Sequence, residues 1–328
     1  MIPALERFVT NPMVRPSQIA FTRATGAYNP GAAIDRASGR IVLLIRVFEE
    51  ETQRSCIALA TSSDGQRVDE ILDRPAISRE TPYEEWGVED PRITYLKDQD
   101  IYAITYTGLS EKGPRVCLIT TDDLLKPERY QRQGPRILGD SKSCVILPQK
   151  VGGSYVILHR PTTRIELIKV TALEDLWPAE GTQLVGPQPN TWRTSRVGAG
   201  APPIATDIGW LFPIYGTTGV EEGNVHSMGW CVLATDNPEK VLYVSDAPAL
   251  TPTAPYEIQQ NPVPQVDMAN FKTGVRVVFP GGLIERGEDL ILYYGAAKVS
   301  VAGARVNKKA LVESLGMEMR FNRSATPV

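Results

Sequence analysis

Short apolar and aromatic runs recur along the chain, and turn residues such as Gly, Asp and Asn separate them. Brief runs rich in β-branched and aromatic side chains are typical of strands rather than helices. The pattern predicts five principal strands, at Ile41–Arg46, Ile101–Tyr106, Tyr155–Arg160, Trp210–Tyr215 and Leu290–Tyr294. A second strand follows four of them, at Cys56–Thr61, Val116–Thr120, Ile165–Val170 and Trp230–Ala234.

A similar short segment, here called an opening, precedes each principal strand. The five openings are Tyr28–Gly31, Glu89–Arg92, Ser141–Cys144, Gly200–Pro203 and Val278–Gly281. Repetition of this kind predicts several small sheets arranged around one axis, with the openings facing a shared centre. The sequence therefore predicts an all-β fold, a five-bladed β-propeller whose blades lie within residues 25–306.

Helical patterns are confined to the two ends of the sequence. Pro3–Val9 fits one or two helical turns, and Asn307–Leu315 places apolar residues on one face behind an Asn cap. We therefore expect short terminal helices. Segments 1–24 and 307–328 are expected either to close the ring of blades or to join copies into a homo-oligomer. Residues 1–328 are predicted to form a single catalytic domain.

The amino-acid composition argues against several classes of binding partner. Thirty-five basic and 38 acidic residues give a net charge of -3 without a basic stripe, which argues against nucleic acid. The four cysteines are far apart and are expected to be buried free thiols. Two histidines exclude an all-histidine zinc site, and no metal is predicted. Neither a signal peptide nor a membrane helix is recognisable, so a cytoplasmic enzyme without a membrane partner is expected.

The second opening carries an acid, Asp90, at the start of a predicted strand. Pro91 favours an extended backbone at Asp90, and the strand nearest the axis would hold the side chain in a polar pocket. A carboxyl group there can protonate or orient a leaving oxygen. The alternative is that Asp90 only caps a turn. In a regular strand Glu89 would point to the opposite face and serve a structural role.

Basic residues accompany this acid at other openings and strand ends, at Arg46, Lys142, Arg160 and Arg196. Glycoside hydrolysis uses two carboxylates, yet the first opening offers Asn29 instead of a second acid. Guanidinium groups bind phosphate through paired, charge-assisted hydrogen bonds, so convergence of these residues would form an anion site. Otherwise each basic residue is a solvated charge or forms a salt bridge between blades.

His159 either donates to a sugar hydroxyl or packs in the core, and His226 is expected to be exposed.

Several motifs together resemble glycoside hydrolase family 130, the β-mannoside phosphorylases and their mannosidase relatives. In the family's order, they are YNPGA (28–32), GVEDPRI (87–93), LPQKVGGSYVILHRP (147–161), RVGAGAPPI (196–204), GW-x4-YG (209–216), VVFPGGLIE (277–285) and LYYGAA (292–297). The resemblance implies a five-bladed propeller and an inverting phosphorolysis. In that reaction inorganic phosphate attacks the anomeric carbon of a β-linked mannose and releases α-mannose 1-phosphate. Phosphate is then a cosubstrate, and no cofactor is implied.

The resemblance also implies roles for single residues. Asp90 is the catalytic acid, acting through a sugar hydroxyl. Phosphate is bound by Lys142, Arg160, Arg196 and Tyr215, the last standing where the family often has histidine. The expected substrate contacts are Asn29, Arg46, Glu89, Arg92, His159 and Lys298. Lys298 replaces an acid that relatives use to grip the non-reducing sugar, and this charge reversal leaves the sugar and its linkage open.

Other functions fit part of the pattern. A β-mannosidase of the same fold would need an acid to activate water, which Glu221 or Glu222 could supply. A sugar-binding propeller without catalysis is compatible with the residues at Tyr215 and Lys298. A glycosidase of the arabinanase or invertase type requires an acid where Asn29 stands. The leading hypothesis is a phosphorylase of a small β-mannoside, such as mannobiose, a mannooligosaccharide or a mannosyl-glucose.

Overall fold

The computed structural model describes residues 2–218, 225–259 and 274–324. Within these ranges the chain folds into β-strands joined by turns, with one α-helix near the C-terminal end. The strands form three hydrogen-bonded sheets. In the described residues these sheets divide into five antiparallel units that follow one another along the chain. The expected all-β fold is confirmed.

Units one and two belong to the same sheet. Unit one contains β2 (Ala24–Ile34), β3 (Ile41–Glu49), β4 (Arg54–Ser62) and the short β5 (Glu70–Ile71). Unit two contains β6 (Gly87–Leu96), β7 (Ile101–Ser110), β8 (Gly113–Thr121) and β9 (Gln131–Ile137). Strands within each unit pair antiparallel, whereas β4 and β6 meet in a parallel pair at Ser55 and Gly87.

The remaining units complete the molecule. Unit three is a separate sheet of β10 (Lys142–Ile146), β11 (Tyr155–Arg160), β12 (Ile165–Val170) and β13 (Thr182–Val185). Unit four contains β14 (Arg196–Ala199), β15 (Ile204–Thr206), β16 (Gly209–Thr217), β17 (Val225–Leu233) and β18 (Val241–Val244). Unit five contains β19 (Ile258–Gln259), β20 (Val275–Arg286), β21 (Asp289–Ala296) and β22 (Ser300–Asn307), joined by β1 (Glu6–Arg7). The predicted principal strands all lie within observed strands, and so do the second strands except for Ala234, which follows the end of β17.

Alternate side chains of the middle strands pack toward different neighbouring units. In β3, Leu43 joins a buried cluster with Tyr293 of unit five, while Leu44 joins another with Ile104 of unit two. Successive side chains of a strand point to opposite faces, so one strand contributes to two cores. Burial on both faces explains why the principal strands are continuous apolar runs rather than alternating ones.

The same packing continues between the other units. Further apolar clusters join unit two to three, three to four, and four to five. Together with the two clusters around β3, they place each unit against the next and unit five against unit one. Four of these clusters each contain one cysteine, and all four thiols are buried without a disulfide, as predicted.

The N-terminal segment is a strand, so the helix predicted for Pro3–Val9 is wrong. β1 pairs antiparallel with β22, and Glu6 lies opposite Arg305. Its flanking residues Leu5 and Phe8 are buried in two different apolar clusters. The unpaired backbone groups at the edge of β22 are hydrogen-bonded by this pairing, which outweighs a weak local preference for helix.

The predicted C-terminal helix is present and longer than expected. α1 spans Lys308–Ser324. Asn307 caps it, because its Oδ1 accepts a hydrogen bond from Ala310 N at 2.9 Å. Leu311 and Leu315, four residues apart on one face, are fully buried against the cluster between units four and five. Packing of this face therefore fixes the helix to the sheets.

Candidate active site

Three of the openings contain the same backbone irregularity. Asn29 in β2, Asp90 in β6 and Ser143 in β10 have positive φ angles of 49°, 50° and 52°. Each lies at a register shift within its antiparallel pair. A β-bulge of this kind redirects the side chain away from the regular alternation. The extended backbone expected at Asp90 from Pro91 is therefore wrong, because the bulge overrides that local preference.

The openings approach one another at their backbones. A Cβ atom added to Gly31 would lie 2.5 Å from the carbonyl oxygen of Pro91, and one added to Gly281 would lie 2.2 Å from that of Pro30. Glycine is therefore required where the backbone of one opening touches that of the next. The openings of units five, one and two thus converge, as the repeat pattern predicted.

All five units contribute side chains to one cavity of about 110 Å³. Nine of the residues predicted for the site line it: Asn29, Arg46, Glu89, Asp90, Lys142, Arg160, Arg196, Tyr215 and Lys298. Four further residues that the sequence did not indicate also line it: Ser143, His226, Val277 and Phe279. Two predicted residues, Arg92 and His159, lie outside the lining. A concave site with convergent polar groups is the usual form of a ligand pocket.

Asp90 projects from its bulge into this cavity, with its side chain 15% exposed. Its Oδ1 accepts a hydrogen bond from Asn29 Nδ2 at 2.8 Å and lies 3.5 Å from the Arg46 guanidinium. Burial alone would raise the pKa of this carboxyl group. The charges of Arg46 and Arg92 and the hydrogen bond from Asn29 nevertheless hold the pKa below its ordinary value. In the protein alone, Asp90 is therefore a carboxylate at neutral pH.

Glu89 faces the same cavity and bridges two basic side chains. Arg46 Nη2 donates to its Oε1 at 2.7 Å, and Lys142 Nζ donates to its Oε2 at 3.1 Å. The expectation that Glu89 points to the face opposite Asp90 is wrong, because the bulge at Asp90 interrupts the alternation. Glu89 is almost fully buried, so its charge requires these two cations.

A second cluster of polar side chains lies on the side of the cavity formed by units three and four. Arg160 Nε donates to Tyr215 Oη at 2.8 Å, and that oxygen lies 2.8 Å from Ser143 Oγ. Among the described residues, no carboxylate lies within ion-pair distance of Arg160 or Arg196. Burial first, and then the positive charge of Arg160, lower the pKa of Arg196. Adjacent guanidinium groups without a carboxylate form a binding site for an anion.

Arg92 and His159 support the cavity from outside its lining. Arg92 is fully buried, and it donates to the carbonyl oxygens of Asp90, at 3.0 Å, and Gly200. It therefore ties the opening of unit two to that of unit four. His159 is also fully buried, with Nδ1 2.9 Å from Ser141 Oγ. Direct substrate contact by either residue remains a prediction.

Acid should weaken the fold through His159. Burial lowers the pKa of His159 from 6.5 to about 4. The unfolded chain therefore binds a proton that the folded chain does not, and the free energy of unfolding falls as the pH drops from 6.5 toward 4. We expect this group to contribute a loss of about 1–3 kcal/mol. Urea unfolding at pH 7 and pH 4.5 should show a smaller loss for His159→Asn than for wild type; equal losses would contradict this account.

The expectation that His226 is exposed is wrong. It lies in β17, where it pairs in parallel with Val277 of β20, and only 9% of its surface is accessible. Its ring stacks with Tyr215 at a centroid separation of 6.4 Å. The Tyr215 ring also contacts Phe279, with centroids 4.5 Å apart. These residues give the cavity an aromatic wall beside its charged groups.

One of the unpredicted lining residues carries a signal in the sequence. The third opening, taken as Ser141–Cys144, aligns Lys142 with Asn29 and Asp90. The bulges instead align Ser143 with those two residues. A shift of the opening by one position would therefore have identified Ser143. His226 has no such signal, because its place depends on the pairing of β17 with β20.

Comparison with known proteins supplies the family. A family model described as beta-1,4-mannooligosaccharide phosphorylase, that of glycoside hydrolase family 130, matches residues 2–316. The chain belongs to glycoside hydrolase family 130. The resemblance inferred from the motifs is thereby confirmed.

Curated members of family 130 are similar over most of this chain. Beta-1,2-mannobiose phosphorylase of Listeria innocua serovar 6a is 31% identical over 284 residues, which cover 83% of this chain and 72% of that protein. Beta-1,2-mannobiose phosphorylase of Thermoanaerobacter sp. strain X514 is 31% identical over 290 residues, which cover 84% of this chain and 85% of that protein.

The fold also matches a solved structure of the family. Beta-1,2-mannobiose phosphorylase from Listeria innocua, in complex with beta-1,2-mannobiose, aligns with a TM-score of 0.81 and 26% sequence identity. The alignment covers 95% of this chain and 99% of that one. Among the described residues of this family 130 member, no helix has both the length and the apolar character needed to span a membrane.

Proposed function

We propose that this member of family 130 is a β-mannoside phosphorylase that inverts the anomeric configuration. The observation that carries the proposal is one cavity lined both by Asp90 and by Arg160 and Arg196. Because phosphate supplies the attacking oxygen, the protein needs one carboxyl group for proton transfer, whereas hydrolysis uses two. The relatives named beta-1,2-mannobiose phosphorylases support this reaction and favour a β-1,2 linkage.

Phosphate is assigned to the side of the cavity where Arg160 and Arg196 lie. Two guanidinium groups can bind its oxygens through paired hydrogen bonds. Tyr215 and Ser143 add hydroxyl groups next to Arg160, and Lys142 lines the same cavity. The repulsion between the two arginines is relieved when a dianion lies between them. This gain in the bound state favours occupancy by phosphate over a neutral ligand.

Proton transfer is assigned to Asp90. A phosphate dianion bound in the same cavity adds negative charge near this carboxylate, so phosphate binding raises the Asp90 pKa toward the range of a proton donor. Asp90 then supplies the proton for the leaving glycosidic oxygen, through a sugar hydroxyl. A phosphate oxygen forms the new bond to the anomeric carbon as the old carbon–oxygen bond breaks. Attack from the opposite face converts the β-linkage to the α-phosphate.

Sugar contacts are assigned to the remaining lining residues. Asn29 and Arg46 hold the Asp90 carboxylate in place, and both lie close enough to it to contact a sugar at the reacting position. Glu89 fixes Arg46 and Lys142 rather than activating water, since both its oxygens are engaged by cations.

A β-mannosidase remains the second candidate. It would require a further acid to activate water, and the two residues that the sequence offers, Glu221 and Glu222, lie outside the described residues. The anion site at Arg160 and Arg196 favours phosphorolysis, because a hydrolase has no use for paired guanidinium groups without a carboxylate partner. A sugar-binding protein without catalysis would not need Asp90 in this electrostatic setting.

The direct test is phosphate-dependent cleavage. Purified protein with β-1,2-mannobiose should release α-mannose 1-phosphate only when inorganic phosphate is present, as followed by phosphorus and proton NMR. Sulfate at equal ionic strength is the matched control and should not support turnover. Free mannose formed at the same rate without phosphate would identify a hydrolase. Sugar binding by calorimetry without any product would identify a non-catalytic protein.

The architecture that best fits the described residues is a five-bladed β-propeller in one catalytic domain of residues 1–328. The closed succession of apolar clusters from unit one to unit five and back supports it. The convergence of the openings on one cavity supports it as well.

We also propose a cytoplasmic location, consistent with four buried thiols that form no disulfide. Self-association through the terminal segments stays a prediction.

A further inference from the structure

Arg92 is a fully buried arginine whose side chain contacts three of the five openings. Its Nη1 atom donates to the carbonyl oxygens of Asp90 and Pro91, each at 3.0 Å. Its Nε atom donates to the carbonyl oxygen of Gly200, in the opening of unit four. The guanidinium carbon lies 5.4 Å from the centre of the Phe279 ring, in the opening of unit five. One side chain therefore joins the openings of units two, four and five.

Two of these hydrogen bonds replace those that the β-bulge removes. In the pairing of β6 with β7, the register shifts between Glu89 and Arg92. Asp90 and Pro91 lie within this shift and have no residue paired opposite them. Buried backbone carbonyl groups require hydrogen bonds, and Arg92 donates to both of these. The bulge that aims Asp90 at the cavity is thus held by a side chain two positions further along the strand.

The other two positive-φ bulges have no such arginine. Asn29 and Ser143 occupy the same backbone geometry in their openings. Two positions after them, the chain has Gly31 and Val145, respectively. An arginine at this position is therefore not required to form a bulge of this kind. Of the three bulges, the one with the arginine is the one that carries a carboxylate.

The charge of Arg92 acts on this carboxylate. Within the part of the chain that the structure describes, the hydrogen bonds of Arg92 go to carbonyl oxygens, and its Nη2 atom is buried without a hydrogen-bond partner. Burial lowers the pKa of Arg92, and the negative charge of Asp90 opposes this effect. A neutral donor could tie backbone groups together without the cost of burying a charge. The charge therefore indicates a role toward Asp90 in addition to the backbone contacts.

We propose that Arg92 is a positioning residue for the proton donor: it holds the bulge in the geometry that aims the Asp90 carboxyl group at the glycosidic bond. The inference rests on the proposed phosphorylase function and adds a residue to its mechanism. Arg92 acts through Asp90 and not by contact with the sugar, in keeping with its place outside the cavity lining. Displacing a catalytic group by about 1 Å can cost roughly 10²-fold in rate. Loss of this support should therefore reduce kcat and leave substrate affinity nearly unchanged.

Two substitutions separate the geometric role of Arg92 from its charge. Arg92→Lys keeps the positive charge but not the planar fork of donors that reaches three carbonyl oxygens. It should reduce kcat about tenfold, with the KM values for phosphate and β-1,2-mannobiose within about threefold of wild type. Arg92→Met also removes the charge, and kcat should fall about a hundredfold. A higher KM for mannobiose with unchanged kcat would overturn the proposal, because it would place Arg92 in contact with the sugar.

The pH dependence of kcat distinguishes positioning of Asp90 from general damage to the fold. The proton donor must be protonated, so kcat at saturating substrates falls as the pH rises through the pKa of Asp90 in the complex. A nearby positive charge lowers that pKa. The fall should therefore occur at higher pH in Arg92→Met and at the wild-type pH in Arg92→Lys. Arg46 and Lys142, which also lower this pKa, are unchanged in both variants, as are the other titratable groups of the lining: Glu89, Arg160, Arg196, Tyr215, His226 and Lys298.

Arg136→Met is the matched control. Arg136 also donates to three carbonyl oxygens, those of Gln133, Pro135 and Glu174, but it lies outside the cavity lining. The same chemical change at this position should leave kcat within about twofold of wild type and should not move the pH profile. A shift of the pH profile in Arg136→Met equal to that in Arg92→Met would overturn the proposal.

Carbon-13 NMR of protein labelled at the aspartate carboxyl carbons tests the inference without turnover. The Asp90 signal is assigned by its loss in Asp90→Asn. A titration midpoint that lies at higher pH in Arg92→Met than in wild type supports the action of Arg92 on Asp90 even if no substrate is cleaved. Phosphate-dependent cleavage by wild type, with an unchanged midpoint and unchanged kcat in Arg92→Met, would refute the inference and leave the phosphorylase function standing. If circular dichroism shows Arg92→Met unfolded, Arg92→Lys decides, and a kcat equal to that of wild type would overturn the proposal.

Discussion

Replacing Asp90 by Asn is expected to reduce phosphorolysis by about 10²- to 10⁴-fold, the usual contribution of a positioned proton donor. The amide can still accept the hydrogen bond that Asn29 donates at 2.8 Å, and it fits the same bulge. It has no acidic proton for the leaving oxygen, so the loss should fall on kcat rather than on the KM for phosphate. Initial rates at saturating phosphate measure the effect, and circular dichroism with thermal unfolding checks the fold.

Asp100→Asn provides a matched control for this substitution. Asp100 also has a positive φ, of 53°, but it lies in an exposed turn and does not line the cavity. The same chemical change at the same backbone geometry should leave kcat within about twofold, because surface substitutions of this kind are usually near neutral. Retention of more than a tenth of wild-type turnover in Asp90→Asn would remove Asp90 from the mechanism.

The double variant Arg160→Met with Arg196→Met is expected to lose most of its affinity for phosphate. Each charge-assisted hydrogen-bond donor contributes about 1.5–3 kcal/mol, so each arginine accounts for roughly a ten- to hundredfold change in the KM for phosphate. The effect of raising ionic strength on that KM should also shrink, since fewer positive charges attract the anion. Progress curves at several phosphate concentrations, with and without added salt, provide both quantities.

Two further variants test whether the effect on phosphate binding is specific to Arg160 and Arg196. Arg164→Met removes an arginine from the same region, where it pairs with Glu166 at 2.8 Å outside the cavity lining, and it should not alter phosphate kinetics. Arg196→Lys keeps the charge but not the paired donors, so its KM for phosphate should lie between those of wild type and Arg196→Met. An unchanged KM for phosphate in the double variant would move the phosphate site elsewhere.

Local sequence patterns predicted the strands and much of the cavity. Principal strands such as Ile41–Arg46 were recognisable because two-sided burial makes them continuous apolar runs. Asp90, Arg160 and Arg196 were identifiable as candidates because each lies at an opening or at a strand end of the repeat. Their convergence follows from the way the units pack against one another, which the repeat pattern already indicated.

Features that depend on distant pairings were not predictable in this way. β1 is only two residues long, and it forms because β22 offers an edge far along the chain. Glu89 faces the cavity because of a bulge one residue away, which the period-two pattern of a strand does not reveal. His226 is buried through the parallel pairing of β17 with β20. In each case tertiary contacts override the local preference.

The pairing of β1 with β22 has a consequence for synthesis of the protein. Glu6 finds its partner only after Arg305 has been made, so a nascent chain must keep β1 unpaired until β22 has been synthesised. Until then the strand edge with which β1 pairs has not formed. Proteolytic removal of β1 would leave the edge of β22 open to pair with a strand from another molecule. The pairing of β1 with β22 therefore also protects the protein against edge-to-edge aggregation.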